Sequence, residues 1–145
     1  MNSAIKRASF ECAMELLNSS QEVCLVARGG SMRPFIHSGD RLKIVSSTQP
    51  RQVGEIVWAH RNGVDVIHRV MSVNPNGQFE LRGDAMPSSD GWFAHESYLG
   101  SVQTVERSGS VRPTPQTTAH RCFVAFIRGL RHIEWKLARV FNHVG

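Results

Sequence analysis

The chain has 145 residues, 41% of them hydrophobic and 20% charged, which suits one globular core and excludes wholesale disorder. Its three cysteines, Cys12, Cys24 and Cys122, are an odd and scattered set, which excludes a disulfide framework or a zinc ribbon and makes a reduced, cytoplasmic protein the expectation. The net charge is +5, but residues 107 to 145 hold seven Lys and Arg against Glu134 alone, so the body has no positive excess.

Residues 3 to 18 read as a helix with Ala4, Ala8, Cys12 and Leu16 on one stripe and Ile5, Met14 and Leu17 nearby. "NSSQE" breaks it, and "VCLVAR" (23 to 28) and "RLKIVS" (41 to 46) read as short strands. "EIVWAHR" and "VDVIHRVMSV" flank Asn62-Gly63, a pair suited to a two-residue hairpin turn. That register sets residue 61 opposite 64 and residue 57 opposite 68. His68 then lies on one sheet face with Val64, Val66 and Val70. "NPNG" is a turn, "QFELRG" a strand, "DAMPSSDGWFAHESY" a loop and "LGSVQTVE" (99 to 106) a last strand.

Residues 107 to 118, "RSGSVRPTPQTT" and its flank, have the Ser, Thr, Gly and Pro content of a linker. Beyond it, over 119 to 145, Phe123, Phe126, Ile127, Leu130, Ile133 and Leu137 follow helical spacing with basic residues between them. This predicts a basic amphipathic helix that packs on the body or on a second copy, or docks on an anionic membrane surface or a partner. The apolar run 122 to 127 stops at Arg128, far short of the ~20 residues of a spanning helix, and the N-terminus lacks a signal-peptide core.

The chemistry concentrates in "ARGGSMRPFIHSGDRLKI", residues 27 to 44. A serine nucleophile needs a base, a group to orient that base and donors for the oxyanion. Gly29 and Gly30 leave space around Ser31, and Pro34 stiffens the turn beyond it. The stretch is equally an ordinary Gly-Ser loop when read by itself. His68, in "VIHRV", has apolar neighbours that favour a neutral imidazole able to act as a general base; otherwise it is a core histidine. Asp84 and Asp90 share the loop "GDAMPSSDG", where either could hold the imidazole tautomer or merely shape a turn. No His-Glu-x-x-His or paired Cys/His spacing is present, so neither a metal nor another cofactor is expected.

Taken in order, "GGSMRP", "SGDRLKI", "GEIVWAH", "VIHRVMSV" and "LRGDAMPSSDG" resemble the type I signal peptidase superfamily over about residues 25 to 105. The histidine in His-Arg-Val resembles the endoplasmic-reticulum and archaeal members, where bacterial members usually carry lysine. The resemblance implies a mainly β protein, with a coiled β-sheet body over 1–106 between an N-terminal helix and the C-terminal helix. It implies a serine endopeptidase with Ser31 as nucleophile, His68 as base and Asp90 as orienting acid. Asp84 and Gly30 would support them, and the Ser31 N–H would serve the oxyanion. The substrate implied is a peptide or precursor protein, bound as an added strand and cut after small residues. The sequence departs from the family in lacking a membrane anchor and in placing Gly29 where some bacterial members hold an assisting serine.

Two other readings compete. One is a self-cleaving repressor-like protein of the same broad fold. Only 30 residues precede Ser31, which is short for a DNA-binding domain plus a cleavage segment, and those proteins use a lysine base. The other is a non-catalytic binding module. Nucleic acid is not the expected partner, because the aromatics of the tail fall mainly on its apolar stripe.

Overall fold

The computed structural model describes residues 3–47 and 51–114. Within them one helix precedes a curled antiparallel sheet. Helix α1 spans Ser3–Ser20, and the strands are β1 Glu22–Val26, β2 Arg41–Val45, β3 Ile56–Arg61, β4 Val64–Val73, β5 Phe79–Arg82, β6 Gly91–Phe93, β7 Tyr98–Arg107 and β8 Ser110–Pro113. Their order across the sheet is β1-β2-β7-β3-β4-β5-β6, with β8 also paired to β7.

The helix ends where serine hydroxyls compete for its last carbonyls. Ser19 and Ser20 both donate to Leu16 O, at 3.2 and 2.7 Å. Gln21 then takes a positive φ of 59° and the chain enters β1. The helical face differs from the sequence expectation. Phe10, Ala13, Met14 and Leu17 pack on the sheet, while Cys12 and Leu16 are exposed. A stripe of i, i+4 steps alone drifts around the helix, and it omitted the larger Phe10.

Strand β3 shows how the sheet closes on itself. Ile56 and Trp58 enter one apolar cluster with Leu42, Ile44, Val102, Met32 and Leu17. Val57 and Ala59, on its other face, enter a second cluster with Val70, Phe79, Leu81 and Phe93. A strand with both faces covered must be apolar throughout, and "IVWA" is. Each fully buried Leu, Ile or Phe contributes about 1.5–3 kcal/mol relative to exposure. A bulge between Lys43 and Ile44 pairs Leu42 with Val105 and Ile44 with Val102, so two residues three apart on β7 meet the same core.

The Asn62-Gly63 turn forms, with φ of 53° and 77°, and the hairpin pairs Arg61 with Val64 and Val57 with His68. Two short strands lie where the sequence suggested none. β6 sits inside the stretch read as a loop, and β8 sits inside the stretch read as a linker from 107. Both are edge pieces of three or four residues, too short to show an alternation. Ser108 and Gly109, both at positive φ, turn β7 into β8, so the ordered sheet runs to Pro113. The helix expected over 119–145 lies outside the described residues.

Candidate active site

The loop from Ala27 to Asp40 is closed at its neck by Ala27 N–H to Asp40 O (2.8 Å) and Gly39 N–H to Ala27 O (2.9 Å). Inside it, Gly29 adopts φ +80°, and a tight turn follows in which Phe35 and Ile36 N–H both reach Met32 O. The Arg33–Pro34 bond is cis. Met32 and Ile36 sink into the first apolar cluster, which leaves Ser31 at the lip. A side chain at Gly30 would meet only the Arg33 side chain, at an ordinary 3.7 Å. That glycine is therefore not required by packing within the chain, and no tight approach at this position stands behind the supporting role expected of it.

Asp40 ties the loop to the sheet. Its buried carboxylate accepts from His37 N–H (2.8 Å) and from Arg107 Nε and Nη2 (2.7 and 2.6 Å), and Arg107 also reaches Phe35 O (3.1 Å). The Arg107 guanidinium overcomes the cost of burial and holds the Asp40 carboxyl down at about 2.

His68 projects from β4 with its ring almost covered. Its Nε2 lies 2.8 Å from Ser31 Oγ and its Nδ1 lies 2.6 Å from Asp90 Oδ2. A neutral imidazole between these partners accepts from the serine hydroxyl at Nε2 and donates Nδ1–H to the carboxylate. Of the two acids in the "GDAMPSSDG" loop, the structure thus brings Asp90 to the histidine.

Asp84 points elsewhere. It forms a bidentate pair with Arg69, at 2.8 and 2.7 Å, with both side chains at most 4% exposed. Arg69 also donates to Gly54 O at 2.7 Å. Because Arg69 follows His68 and Asp84 follows Gly83, this pair fixes the strand that carries His68 against the turn that contacts Ser31. That turn grips Ser31 directly. Ala85 N–H donates to Ser31 O at 2.8 Å, and a Cβ on Gly83 would lie 2.7 Å from Ser31 O and 3.0 Å from Ser31 Cβ. The need for glycine at 83 and the pairing of Arg69 were not evident in the sequence; "LRGDA" reads as turn chemistry, and its partners are remote in the chain.

Ser31 and His68 open into a cleft of about 1180 Å³. One wall is β1 and its continuation through Arg28, and the other is the first half of β4. Among the described strands, β1 (Glu22–Val26) pairs with β2 alone and β4 meets β5 from Arg69 onward, so β1 and the first half of β4 each keep one edge without a strand neighbour. Phe10 of α1 lines the far part, 4.6 Å from His60, which itself pairs with Asp65 at 2.9 Å.

The Peptidase S24-like family model matches residues 2–86, more than half of the chain and inclusive of Ser31 and His68. The chain belongs to the Peptidase S24-like family. That family lies within the LexA/signal peptidase superfamily, which accounts for the resemblance of the ordered motifs. The match ends before Asp90. Comparison with curated proteins returns no match. The S24-like family includes non-catalytic members beside peptidases, so activity rests on the site of each chain. Among the described residues no helix is long and apolar enough to cross a membrane.

Proposed function

We propose that this chain is a serine endopeptidase of the histidine-base, signal-peptidase-like kind, cutting an extended precursor or leader peptide after small residues. The observation that carries it is the continuous hydrogen-bonded path from Ser31 Oγ through His68 to Asp90 at the end of a cleft walled by two open strand edges. A non-catalytic peptide-binding module needs the edges but has no use for the aligned imidazole and carboxylate.

In this reading a peptide lies between β1 and β4, its main chain bonded to the free edges. Ser31 Oγ attacks the scissile carbonyl while its proton passes to His68 Nε2. Asp90 stabilises the imidazolium without taking its proton. The Ser31 N–H faces the developing oxyanion. His68 then protonates the departing amine, and water resolves the acyl-enzyme by the same route in reverse. Alternate side chains of an extended peptide share one wall, so the first and third residues before the cut meet the same apolar surface.

The test is a set of extended peptides with small residues at those two positions, with products identified by mass spectrometry. Cleavage should occur and should vanish in His68→Ala. Trp or Lys at either position should suppress it. Binding without cleavage by the wild type would assign the cleft to a peptide-binding module instead.

A further inference from the structure

The segment that carries Asp90 is poorly secured by its own strand. β6 has three residues, lies at the edge of the sheet, and follows a loop containing Pro87, Ser88 and Ser89. On one side Asp90 N–H donates to Leu81 O at 2.8 Å, which continues the pairing with β5. On the other side no strand pairs with it among the described residues. A three-residue edge strand of this kind opens locally at little cost, yet the acid at its start must stay within hydrogen-bond reach of His68 Nδ1.

One side chain from another strand holds this segment by its main chain. Arg61 Nη2 donates to Asp90 O at 2.7 Å, and Nη1 donates to Trp92 O at 2.8 Å. Gly91, at φ +84°, turns the chain between those two carbonyls. The guanidinium carbon lies 3.9 Å from the centre of the Phe93 ring, and Phe93 is buried against Phe79. Arg61 therefore grips residues 90, 92 and 93 together. It does so from the end of β3, in the same hairpin that carries His68. The base and the clamp on the orienting acid thus belong to one rigid two-stranded unit, so movement of the hairpin carries both. Only the planar fork of arginine can donate along two directions while stacking on a ring.

We propose that Arg61 is a positioning residue for the Ser31–His68–Asp90 site, holding the Asp90 carboxylate on His68 Nδ1 through the main chain of residues 90–93. The assignment rests on the peptidase reading above. Arg61 does not line the cleft, so it acts on the acid and not on bound peptide.

The experiment compares kcat and KM for one cleaved peptide across wild type, Arg61→Lys, Arg61→Ala, Asp90→Asn and the Arg61→Ala/Asp90→Asn double variant. Arg61→Ala should lower kcat by about 10²-fold, the scale of an ångström-sized misplacement, with KM changed by less than about twofold. Arg61→Lys should recover part of the loss. In the Asp90→Asn background, Arg61→Ala should cost less than about threefold more, because its effect passes through the lost carboxylate. Equal losses in both backgrounds, or an unchanged kcat, overturn the assignment. A second readout needs no turnover. In Ser31→Ala protein, the low-field proton resonance of the His68 Nδ1–H to Asp90 bond should be present, and it should broaden or vanish when Arg61→Ala is added. Its persistence unchanged refutes the clamp. A protein that cleaves no peptide yet loses this resonance refutes the peptidase reading and leaves the clamp standing. Should Arg61→Ala fail to fold by circular dichroism, the same two measurements on Arg61→Lys decide the matter.

Discussion

Asp84 and Asp90 sit six residues apart in one loop, and their surroundings predict opposite phenotypes. Asp84→Asn breaks a buried bidentate pair and leaves Arg69 uncompensated, so it should destabilise the fold by about 3–5 kcal/mol, read from the denaturant midpoint. Asp90→Asn leaves that pair intact and should cost about 10³–10⁴-fold in kcat with little loss of stability, since the imidazole loses the acceptor that fixes its tautomer. The reverse pattern would hand the orienting role to Asp84. Gly83→Ala should affect both quantities, because the added methyl meets the carbonyl of Ser31 at 2.7 Å; about 1–3 kcal/mol of overpacking strain is expected, with a displaced nucleophile. The proximity of Ser31 and His68 was an expectation the sequence could raise, because each stands in a short motif with recognisable chemistry and the order of the motifs gave it weight. The contacts of Gly83 and Arg61 were not legible, because each is made to a main-chain atom more than 25 residues away. No local pattern encodes such a contact.

At the scale of elements, the serine loop is as well placed as its attachment to β7. Asp40 is held below its ordinary range by Arg107, so the folded state binds its proton less readily than the unfolded chain does. The stability it contributes is fully present above the ordinary carboxylate value near 4 and is lost as pH falls from there toward about 2. Asp40→Asn should flatten that part of the acid-unfolding curve measured by circular dichroism. It should also slow peptide cleavage at neutral pH, because the neck of the loop carrying Ser31 loosens. The turn and register of the central hairpin were legible to the residue, since Asn-Gly fixes both, while its first strand starts at Ile56 and not at Glu55. The face of α1 was not, because several stripes of similar hydrophobicity compete and only docking chooses Phe10, Ala13, Met14 and Leu17. β6 and β8 were hidden for another reason: edge strands this short are made by the neighbour that pairs with them.

Across the whole molecule, the proposed site draws on residues 27–107, all inside the compact unit Met1–Pro115. Residues 119 to 145 hold five Lys and Arg against Glu134 alone. A protein ending at Thr118 should therefore stay folded and cleave a short soluble peptide at the rate of the full chain. If the tail docks on anionic surfaces, co-sedimentation with anionic vesicles should be lost with it, and added salt should weaken binding of the full chain. Aggregation of the shortened protein would instead make the tail part of the core. The account stands or falls on Ser31, and the most direct measurement is the intact mass of wild type and Ser31→Ala during incubation with one extended peptide that has small residues at the first and third positions before the cut. Wild type should yield two product peptides and a transient adduct equal to the N-terminal fragment less water. Ser31→Ala should remain folded, change stability by less than about 1 kcal/mol, carry no adduct and release no product. Equal cleavage by the two proteins would contradict the account and require another nucleophile.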